Sequence, residues 1–534
     1  MNTLIEWVTV LPLLIVFGAA VVATLLEAFV PRRARRGVQT VFALIALAAA
    51  LVVVVWRWTE TQTIDNPAIT PLSMAQSSNG YTGVTLVEDT VSLVAQFVIL
   101  VAALLSFLVI ADRTETGEGA FAASVATRPG SAEEREATKA GRQQTEIFPL
   151  ALFATGGMMA FTSAFDLLTL FIALEALSLP LYVLSATARR RRLLSQEAAL
   201  KYFLLGAFSS AIFLMGAAFM YGSTGTIYFN EMLGIFATGA GINMFYTVGI
   251  VMVLVGVLFK VGAVPFHSWT PDVYQGAPTP ITGFMAAGTK AAAFAALARI
   301  MMWLVAPVHS NVNIFMWIVI IATVVLGTVM GLIQKDIKRL LAYSAIAHAG
   351  FILIAANAIN PVQSGNDPGQ ATGAVLFYAL TYAVATVGAF AIVTLVRESD
   401  AEGNILGEAT QLSAWRGLGK RKPLLAGAMT LFLLSFAGIP LTAGFIGKFE
   451  AFRAGVHSGQ TVLVVIAVLA SAATAFFYFR IIQLMFFEDP EGESTVVVSS
   501  EGMTLVAIAL AVVAVIALGI FPDPIYQFIL GPLT

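Results

Sequence analysis

Four charged side chains lie inside long apolar stretches of this sequence. Glu175 and Lys260 each interrupt a hydrophobic run, and so do Lys290 and Lys448. A charge at the centre of a membrane-spanning helix costs about 2.5–3.5 kcal/mol on insertion scales, so its presence there favours a role in ion or proton movement. Burial disfavours the charged form of both residue types, so a carboxylate can take up a proton and a lysine can release one. A series of such residues favours a proton relay over a single binding site.

Two further side chains could take part in the same chemistry. His348 lies near the middle of an apolar segment, and a neutral imidazole can pass a proton between its two nitrogens, which suits a bridge between lysines. Lys201 lies nearer the end of its segment, so its ammonium could instead reach the membrane surface. Structural explanations also exist: an interhelical ion pair for the carboxylate, and a hydrogen-bonded core position for the histidine. Glu450 follows Lys448 closely and is a candidate local partner.

The composition is that of a protein with many membrane-spanning segments. Of its 534 residues, 58% are hydrophobic and only 11% are charged, whereas a soluble domain would have about 25% charged residues. The net charge of −2 gives no basic surface for nucleic acid. The sequence has no cysteine, which excludes disulfides and thiolate-held iron–sulfur clusters, and it contains no complete nucleotide-binding motif. We therefore expect no cofactor and no metal in this chain.

Fourteen apolar stretches are long enough to cross a bilayer, which takes about 20 residues. We expect an all-α polytopic membrane protein with a retained first helix. Pro265 and Pro440 interrupt the seventh and twelfth stretches, so we predict broken helices there. The stretches cover residues 4–30, 38–57, 87–111, 146–163, 166–188, 196–221, 243–270, 280–304, 313–333, 339–357, 371–397, 424–455, 460–487 and 502–530.

The distribution of lysine and arginine predicts the orientation. Basic residues concentrate in the connections that follow helices 1, 3, 5, 9 and 11, all of which fall on one side, whereas the opposite connections hold only Arg57 and Arg453. The basic side of a membrane protein is cytoplasmic, so both termini are expected on the outer side. Residues 112–145 form a charged cytoplasmic loop in this scheme, with a short helix predicted at 131–144.

The predicted helices also show a weak internal symmetry. Helices 4–8 and 9–13 form two units of five, and the second unit begins in the opposite direction, so the units are inverted. The fourth helix of each unit carries a buried lysine and a proline break: Lys260 with Pro265, and Lys448 with Pro440. Inverted repeats with interrupted helices mark the ion path in transporter folds. The predicted domains are 1–111 (helices 1–3), 112–145 (charged loop), 146–304 (first repeat), 313–487 (second repeat) and 502–534 (C-terminal helix).

Four stretches of this sequence resemble the antiporter-like subunits of respiratory complex I. They are residues 166–186, 259–292, 334–351 and 433–449, and the overall resemblance covers roughly 146–455. The most specific is PFHSWTPDVYQGAPTP within the second stretch. A lysine at position 448 and an end soon after helix 14 resemble one subunit class of that family, since the others have a glutamate there or a longer C-terminal part. The charged insertion 112–145 departs from the usual pattern.

The resemblance implies roles for the buried residues. It makes Glu175 and Lys260 an ion pair, Lys290 and then His348 the central relay, and Lys448 the terminal site. We predict that Lys260, Lys290, His348 and Lys448 form a row near mid-membrane, with gaps that water or small polar side chains can bridge.

The resemblance also implies an enzyme around this chain. It would be a proton-translocating subunit of a bacterial NADH–quinone oxidoreductase in the plasma membrane, with no redox group of its own. Flavin and iron–sulfur clusters would belong to partner subunits, and NADH and quinone would bind elsewhere in the complex. Its neighbours would be other membrane subunits, including a second antiporter-like subunit and small membrane subunits, together with lipid.

Three other functions are compatible with parts of the pattern. A subunit of a multi-subunit sodium/proton antiporter shares the fold and motifs but has no redox partner, so co-purification with flavin and iron–sulfur subunits would distinguish it. A solute permease would need a substrate pocket, whereas the buried polar residues here are mostly titratable. A purely structural scaffold would leave the buried lysines as unexplained energetic costs.

Overall fold

The structure of this chain is a computed structural model. It describes residues 4–5, 7–61, 70–76, 82–113, 119–122, 131–133, 136, 145–237, 242–362, 367–399, 405–489, 495–498, 500–530 and 533. Most of the predicted loop 112–145 lies outside these residues. Of the short helix predicted at 131–144, residues 132–133 and 136 are helical and the others, apart from residue 131, lie outside the described part of the chain.

The chain is mainly helical. The first eight helices are α1 Trp7–Phe29, α2 Arg32–Thr61, α3 Thr90–Ala111, α4 Ile147–Ser163, α5 Leu167–Ser185, α6 Arg192–Thr224, α7 Phe229–Ala237 and α8 Met244–Val261. The next four are α9 Trp269–Gly276, α10 Thr279–Phe284, α11 Lys290–Ile300 and α12 His309–Leu332. The last eight are α13 Ile337–Asn357, α14 Pro368–Leu395, α15 Leu418–Arg421, α16 Pro423–Ala437, α17 Ala443–His457, α18 Thr461–Phe487, α19 Met503–Ile520 and α20 Asp523–Leu530.

Shorter elements join these helices. Two π-helical turns, Met285–Thr289 and Met301–Val305, flank α11, and 3₁₀ turns lie at Ala306–Val308 and Leu412–Trp415. The strands are β1 Leu4–Ile5, β2 Thr70–Gln76, β3 Thr82–Glu88, β4 Val396–Ser399, β5 Ile405–Glu408 and β6 Thr495–Val497. They form two antiparallel three-stranded sheets, in the orders β1-β2-β3 and β5-β4-β6.

Eleven helical stretches in the described residues are long and apolar enough to cross a membrane. One of them, Thr279–Leu332, has 54 residues, and two shorter apolar helices, Ile147–Ser163 and Pro423–Ala437, add to the set. The apolar windows of α13 and α14 are completely buried. α14 packs against α10 and α11 as well as α17 and α19, so it lies between the two groups of helices that carry the predicted site residues.

Aspartates cap two of the helices that hold the site, α5 and α13. Asp166 accepts hydrogen bonds from Leu168 and Thr169 at the start of α5, and Asp336 does the same for the first turn of α13. A side-chain acceptor at this position satisfies backbone N–H groups that have no partner within the helix. These caps set where α5 and α13 begin, and so they set the depth of the residues further along each helix.

The two predicted helix breaks are confirmed, and both share one backbone arrangement. α8 ends before Gly262 and the helix resumes at α9, while α16 ends before Gly438 and resumes at α17. Both glycines have φ near +79°, a left-handed conformation that suits glycine because it has no Cβ. The helices therefore end at these glycines, two or three residues before Pro265 and Pro440, and the prolines follow each break instead of starting it.

The connections that carry the predicted basic residues meet at one end of the bundle. The guanidinium of Arg36 contacts both Ala111 O and the carboxylate of Glu501, and Arg191 donates a hydrogen bond to Thr410 Oγ1 at 2.8 Å. β4 pairs with both β5 and β6, which joins the connection after α14 to the one after α18. These contacts link connections that are distant in sequence, and we refer to this end as the basic end.

Candidate functional site

Lys260 lies in a cage of aromatic rings at the end of α8. Its ammonium is fully buried and lies 5.1 Å from the ring centre of Tyr182 and 5.2 Å from that of Tyr202. The only hydrogen bond that the structure shows from this ammonium within the described residues goes to Tyr182 Oη, at 3.3 Å. Ring faces attract cations, so the cage stabilises the charge without a carboxylate in contact.

Glu175 is half-buried on α5 and does not form the predicted direct ion pair with Lys260. Its carboxylate accepts a hydrogen bond from Ser210 of α6, whereas Lys260 contacts α5 at Tyr182. Tyr182 is seven residues beyond Glu175, about 10 Å along the helix axis. Glu175, Ser178 and Tyr182 have the spacing of one helix face, so hydroxyl groups lie along the face that leads from the carboxylate toward Lys260.

Lys290 joins the two groups of helices. It follows the π-helical turn Met285–Thr289 directly, and its buried ammonium donates a hydrogen bond to Ala345 O of α13 at 2.6 Å. Such turns shift the face that a helix presents and occur often at functional sites. Ala345 lies three residues, about one turn, from His348 on the same helix. Lys290 of the first predicted repeat therefore contacts the helix that carries the histidine of the second.

His348 has a hydrogen-bond partner at each ring nitrogen. Nδ1 lies 2.8 Å from Tyr378 Oη, and Nε2 lies 3.2 Å from Tyr478 Oη. The hydroxyl of Tyr478 lies a further 2.5 Å from Ser344 Oγ. The residue is only 2% exposed, so it does not face lipid. Hydroxyl groups can donate or accept, so both tautomers of the imidazole can be accommodated here.

Lys448 is held by fixed acceptors at the second helix break. Its ammonium donates to Ala437 O, at the end of α16, at 3.0 Å and to Ser471 Oγ at 2.7 Å. The sequence-based pairing with Glu450 is wrong, because that carboxylate accepts from Tyr526 Oη at 2.6 Å and pairs with Arg453 at 3.2 Å. Side chains two positions apart on a helix point in different directions, which explains the difference.

Aromatic residues fill the spaces between these groups. The ring of Tyr382 lies 6.0 Å from Lys290 Nζ and 5.0 Å from the imidazole of His348. The ring of Phe351 lies 5.8 Å from the same imidazole and 5.1 Å from Lys448 Nζ. The structure therefore brings Lys290, His348 and Lys448 together through shared neighbours.

Tyr378 offers a polar route beside Phe351. Its hydroxyl contacts His348, and its ring packs against Gly447, next to Lys448. A Cβ at Gly447 would lie 2.8 Å from Thr381 Oγ1 and 3.2 Å from the Tyr378 ring, so only glycine allows this close approach. Sequence reasoning missed Tyr378 and Tyr478, because tyrosines in apolar helices have the pattern of ordinary core residues. The only sequence signal for these two residues is their hydroxyl groups, which stand in otherwise apolar helices.

Lys201 does not belong to this buried group. Its side chain is 44% exposed and pairs with Glu197 at 2.8 Å and with Asp272 at 2.9 Å. Asp272 also accepts from Arg339 at 2.7 Å. The next residue, Tyr202, faces the Lys260 cage, since neighbouring helix positions point about 100° apart. The predicted relay role of Lys201 thus has no geometric support, and the residue contributes to a surface ion-pair network.

Arg299 lies on the same helix as Lys290 and forms a buried ion pair that sequence reasoning missed. Arg299 makes two hydrogen bonds to the carboxylate of Asp89, at 2.7 and 2.9 Å, and donates to Thr162 O. It is 3% exposed. Two guanidinium nitrogens of Arg299 thus bond to the two carboxylate oxygens of Asp89, the residue before α3. The pair therefore anchors α11 to the start of α3.

Among the described residues, the structure contains no group of three or more histidine, cysteine, aspartate or glutamate side chains that could hold a metal ion.

Comparison with known proteins identifies the family of this chain. A family model described as NADH:quinone oxidoreductase/Mrp antiporter, TM, matches residues 164–474. The chain is 52% identical to NADH-quinone oxidoreductase subunit N of Beutenbergia cavernae, covering 98% of this chain and 97% of that protein. It is 43% identical to subunit N of Mycobacterium tuberculosis, covering 98% and 96%.

Solved structures show the same fold. A chain of respiratory complex I from Thermus thermophilus with bound aureothin aligns with a TM-score of 0.73 and 33% identity, over 97% of this chain and 98% of that one. A chain of the Mrp complex from Dietzia sp. aligns with a TM-score of 0.79, over 99% and 97%, but at 18% identity it shows the fold alone. This chain therefore belongs to the subunit N family of NADH–quinone oxidoreductases, the antiporter-like membrane subunits of respiratory complex I.

Proposed function

We propose that this chain moves protons across the membrane through the row Glu175, Lys260, Lys290, His348 and Lys448. The observation that carries the proposal is the contact of Lys290 with α13 one turn from His348, whose two ring nitrogens both reach tyrosine hydroxyls. This contact joins titratable groups of the two predicted repeats inside the protein, where a charge without a transport role would be costly.

Hydroxyl groups near the lysines can bridge the remaining gaps. Tyr202 Oη, Thr270 Oγ1 and Thr289 Oγ1 are buried and have no hydrogen-bond partner within the described protein. Tyr202 lines the Lys260 cage, and Thr289 precedes Lys290 directly. Buried polar groups of this kind bind ordered water, and water supplies the mobile hydrogen bonds that proton transfer needs.

The driving logic is electrostatic. Glu175 supports the charge of Lys260 without direct contact, and two opposite charges about 10 Å apart attract by about 1.7 kcal/mol at an effective dielectric constant of 20. A change in the position of this carboxylate would weaken that support and favour transfer of the proton toward Lys290. Moving one charge against the membrane potential costs about 2.3 kcal/mol per 100 mV, which is the same order of magnitude.

We further infer fourteen crossings, organised as two inverted repeats of five helices. The 54-residue stretch Thr279–Leu332 would be about 80 Å long as one helix, far more than the bilayer core of about 30 Å, so two crossings joined at the 3₁₀ turn fit better. The shorter helices α4 and α16 complete the set. The matching glycine-terminated breaks of α8 and α16 support the repeat.

The orientation follows from the basic end. We place this end in the cytoplasm and both termini on the outer side of a bacterial plasma membrane. Cysteine labelling of Arg190→Cys and Lys420→Cys should occur from the cytoplasmic side, and labelling of Ala75→Cys from outside. Labelling of the first two from opposite sides would refute the scheme.

The redox chemistry belongs to other subunits in this proposal. NADH oxidation, the flavin, the iron–sulfur clusters and quinone reduction would be elsewhere in the complex, and this chain would contribute no electron-transfer group. Its partners would be another antiporter-like subunit and small membrane subunits. These assignments rest on membership of the subunit N family together with the cysteine-free sequence.

The test uses the assembled complex in membrane vesicles. Lys290→Met keeps a side chain of similar length without the proton-carrying amine, so proton pumping per NADH oxidised should fall at least about tenfold, since positioned proton-transfer groups typically contribute 10²–10⁴-fold. Lys201→Met is the matched control and should pump normally, because Asp272 keeps its bond from Arg339. Normal pumping by an assembled Lys290→Met complex would refute the relay.

A further inference from the structure

Four polar side chains join α9 to the start of α13. Arg339 donates hydrogen bonds to Asp272 Oδ1 at 2.7 Å and to Gln275 Oε1 at 3.1 Å. Gln275 in turn donates to Asp336 Oδ2 at 3.0 Å, while Oδ1 of Asp336 caps α13. α9 belongs to the first predicted repeat and α13 to the second, so this set, which we call the α9–α13 clamp, links the two repeats.

α9 is a short helix whose position depends on its neighbours. It has eight residues and follows the break at Gly262. An isolated helix of this length is at best marginally stable, so contacts with other helices determine where it lies. On one side it packs directly on α6, where a Cβ at Gly276 would lie 2.5 Å from Ala198 Cβ and 2.7 Å from Leu194 O. On the other side, the clamp holds it on α13.

Trp269, the first residue of α9, contacts the surroundings of Lys260. It is 1% exposed, and its indole N–H donates to Phe259 O at 2.8 Å. Its ring stacks on that of Tyr202, with ring centres 4.6 Å apart and an interplanar angle of 13°, and lies 5.5 Å from the ring of Phe259. The rings of Tyr202 and Phe259 lie 5.2 and 5.5 Å from the Lys260 ammonium. Trp269 therefore packs behind two rings of the cage.

The clamp and the cage contacts lie about one turn apart on the same short helix. Asp272 is three residues beyond Trp269, so a displacement of Asp272 relative to α13 also displaces the indole. The second oxygen of Asp272 accepts from Lys201 of α6 at 2.9 Å. The bond from Lys201 stays within the first predicted repeat, whereas the bond from Arg339 crosses to the second.

We propose that Asp272 is a positioning residue for the proton relay. Its bond from Arg339 holds α9 on α13, and α9 in turn keeps Trp269 against the cage of Lys260. The proposal rests on the relay proposed above, because Asp272 acts on the relay through Lys260. α13 also carries His348, so the same bond fixes the cage relative to the next part of the row. A misplacement of about 1 Å, even from a change far from the chemistry, can cost about a hundredfold in rate.

The test measures protons pumped per NADH oxidised by the assembled complex in membrane vesicles. Asp272→Leu removes both acceptor oxygens at similar size, so the ratio should fall at least about threefold. Asp272→Glu keeps a carboxylate within reach of Arg339 and should recover roughly half of the normal ratio or more, since the charge-assisted bond is retained. Lys201→Met is the matched control, because it removes the contact within the first repeat and leaves the bond from Arg339.

A second variant breaks the same bond from the other helix. Arg339→Met leaves Asp272 paired with Lys201, so it tests the link between the repeats even if Asp272→Leu fails to assemble. The ratio should again fall at least about threefold, because α9 loses its bond to α13. A normal ratio in an assembled Asp272→Leu or Arg339→Met complex would overturn the proposal.

Double variants distinguish positioning from general damage. Trp269→Leu removes both the stacked ring and the bond to Phe259 O. Because Asp272 acts through Trp269, adding Asp272→Leu to Trp269→Leu should lower the ratio no further. Adding Asp272→Leu to Ser471→Ala, at the other break, should multiply the two losses, since distant sites act independently. Multiplied losses in the first pair would refute the role of Trp269.

The relay and the positioning role fail in different ways. If Lys290→Met lowers the pumping ratio but Asp272→Leu leaves it normal, the relay stands and the role of Asp272 is wrong. If both variants pump normally, the relay itself is wrong.

Discussion

The two broken helices share a backbone break but hold their lysines in different ways. In each, the first half ends at a left-handed glycine, whose N–H bonds back to carbonyls three and four residues earlier. Lys260 lies before its break, in the first half, whereas Lys448 lies after its break, in the second half. The carbonyl groups at the end of the first half-helix therefore lie in a different position relative to the ammonium group in each of the two helices.

The acceptors around each lysine follow from this placement. At the second break, the ammonium of Lys448 donates hydrogen bonds to Ala437 O and to Ser471 Oγ. At the first break, the indole of Trp269 donates to Phe259 O at 2.8 Å. Among the described residues, Lys260 is left with a single hydrogen bond, of 3.3 Å, and with aromatic rings. We infer that the charge of Lys260 depends on distant Glu175, whereas that of Lys448 depends on fixed local acceptors.

The largest effect should come from removing either lysine. Lys260→Met and Lys448→Met each remove one of the proposed proton carriers, so pumping should fall at least about tenfold in both. The measurement is dye-reported acidification of vesicles at equal rates of NADH oxidation. A variant that retained normal pumping would exclude its lysine from the path, whichever break it came from.

The next largest effect should distinguish the carboxylate of Glu175 from that of Glu450. Glu175→Gln removes the negative charge that attracts the ammonium of Lys260, so pumping should drop strongly. Glu450→Gln is the matched control, since Glu450 contacts Tyr526 and Arg453 instead of Lys448. Equal loss in both variants would show that the contrast between the two lysines is wrong.

A smaller effect should appear when one hydroxyl is removed beside each lysine. Tyr182→Phe removes the one hydrogen-bond acceptor that the described part of the chain offers Lys260 but keeps the ring, whereas Ser471→Ala leaves Lys448 its bond to Ala437 O. A hydrogen bond to a charged group contributes about 1.5–3 kcal/mol. Pumping should therefore suffer more from Tyr182→Phe than from Ser471→Ala, and the reverse order would count against the comparison.

The smallest effect concerns the glycines. Gly262→Ala and Gly438→Ala force alanine into the left-handed region, at about 1 kcal/mol each, so both should lower the thermal stability of the complex slightly. Gly438→Ala should also reduce pumping more than Gly262→Ala does, because its Cβ would lie 2.9 Å from Cδ of the proton-carrying side chain of Lys448 in the proposed relay. At Gly262 the corresponding contact is with Thr270 Oγ1. Equal pumping by the two variants would mean that the position of Lys448 tolerates displacement.

Charge and proline patterns were sufficient to predict much of this arrangement. A charge in an apolar run can be recognised from sequence alone, and the burial of Lys260, Lys290 and Lys448 followed from it. Both helix breaks were also predictable. The glycines were a better guide to where the helices end, because a left-handed C-terminal residue stops a helix directly.

Other features depend on how the helices pack and could not be predicted. The depth at which α8 contacts α5 decides that Lys260 meets Tyr182 instead of Glu175. Lys201 lies nearer the end of its apolar segment, which left both a relay role and a surface position open, and only the packing shows that it lies on the exposed face of α6. The mistaken pairing of Lys448 with Glu450 was avoidable, since helix geometry alone separates positions two residues apart.

The most direct test of a continuous relay is the ratio of protons pumped to NADH oxidised in complexes with His348→Phe. Phenylalanine fits the ring cluster of Tyr382 and Phe436 but has no nitrogen to connect Tyr378 with Tyr478. We expect an assembled complex whose pumping ratio falls at least about tenfold, with Phe351→Leu as a control that changes the neighbouring ring and keeps the histidine. A normal pumping ratio in the assembled His348→Phe complex would contradict proton transfer through this row.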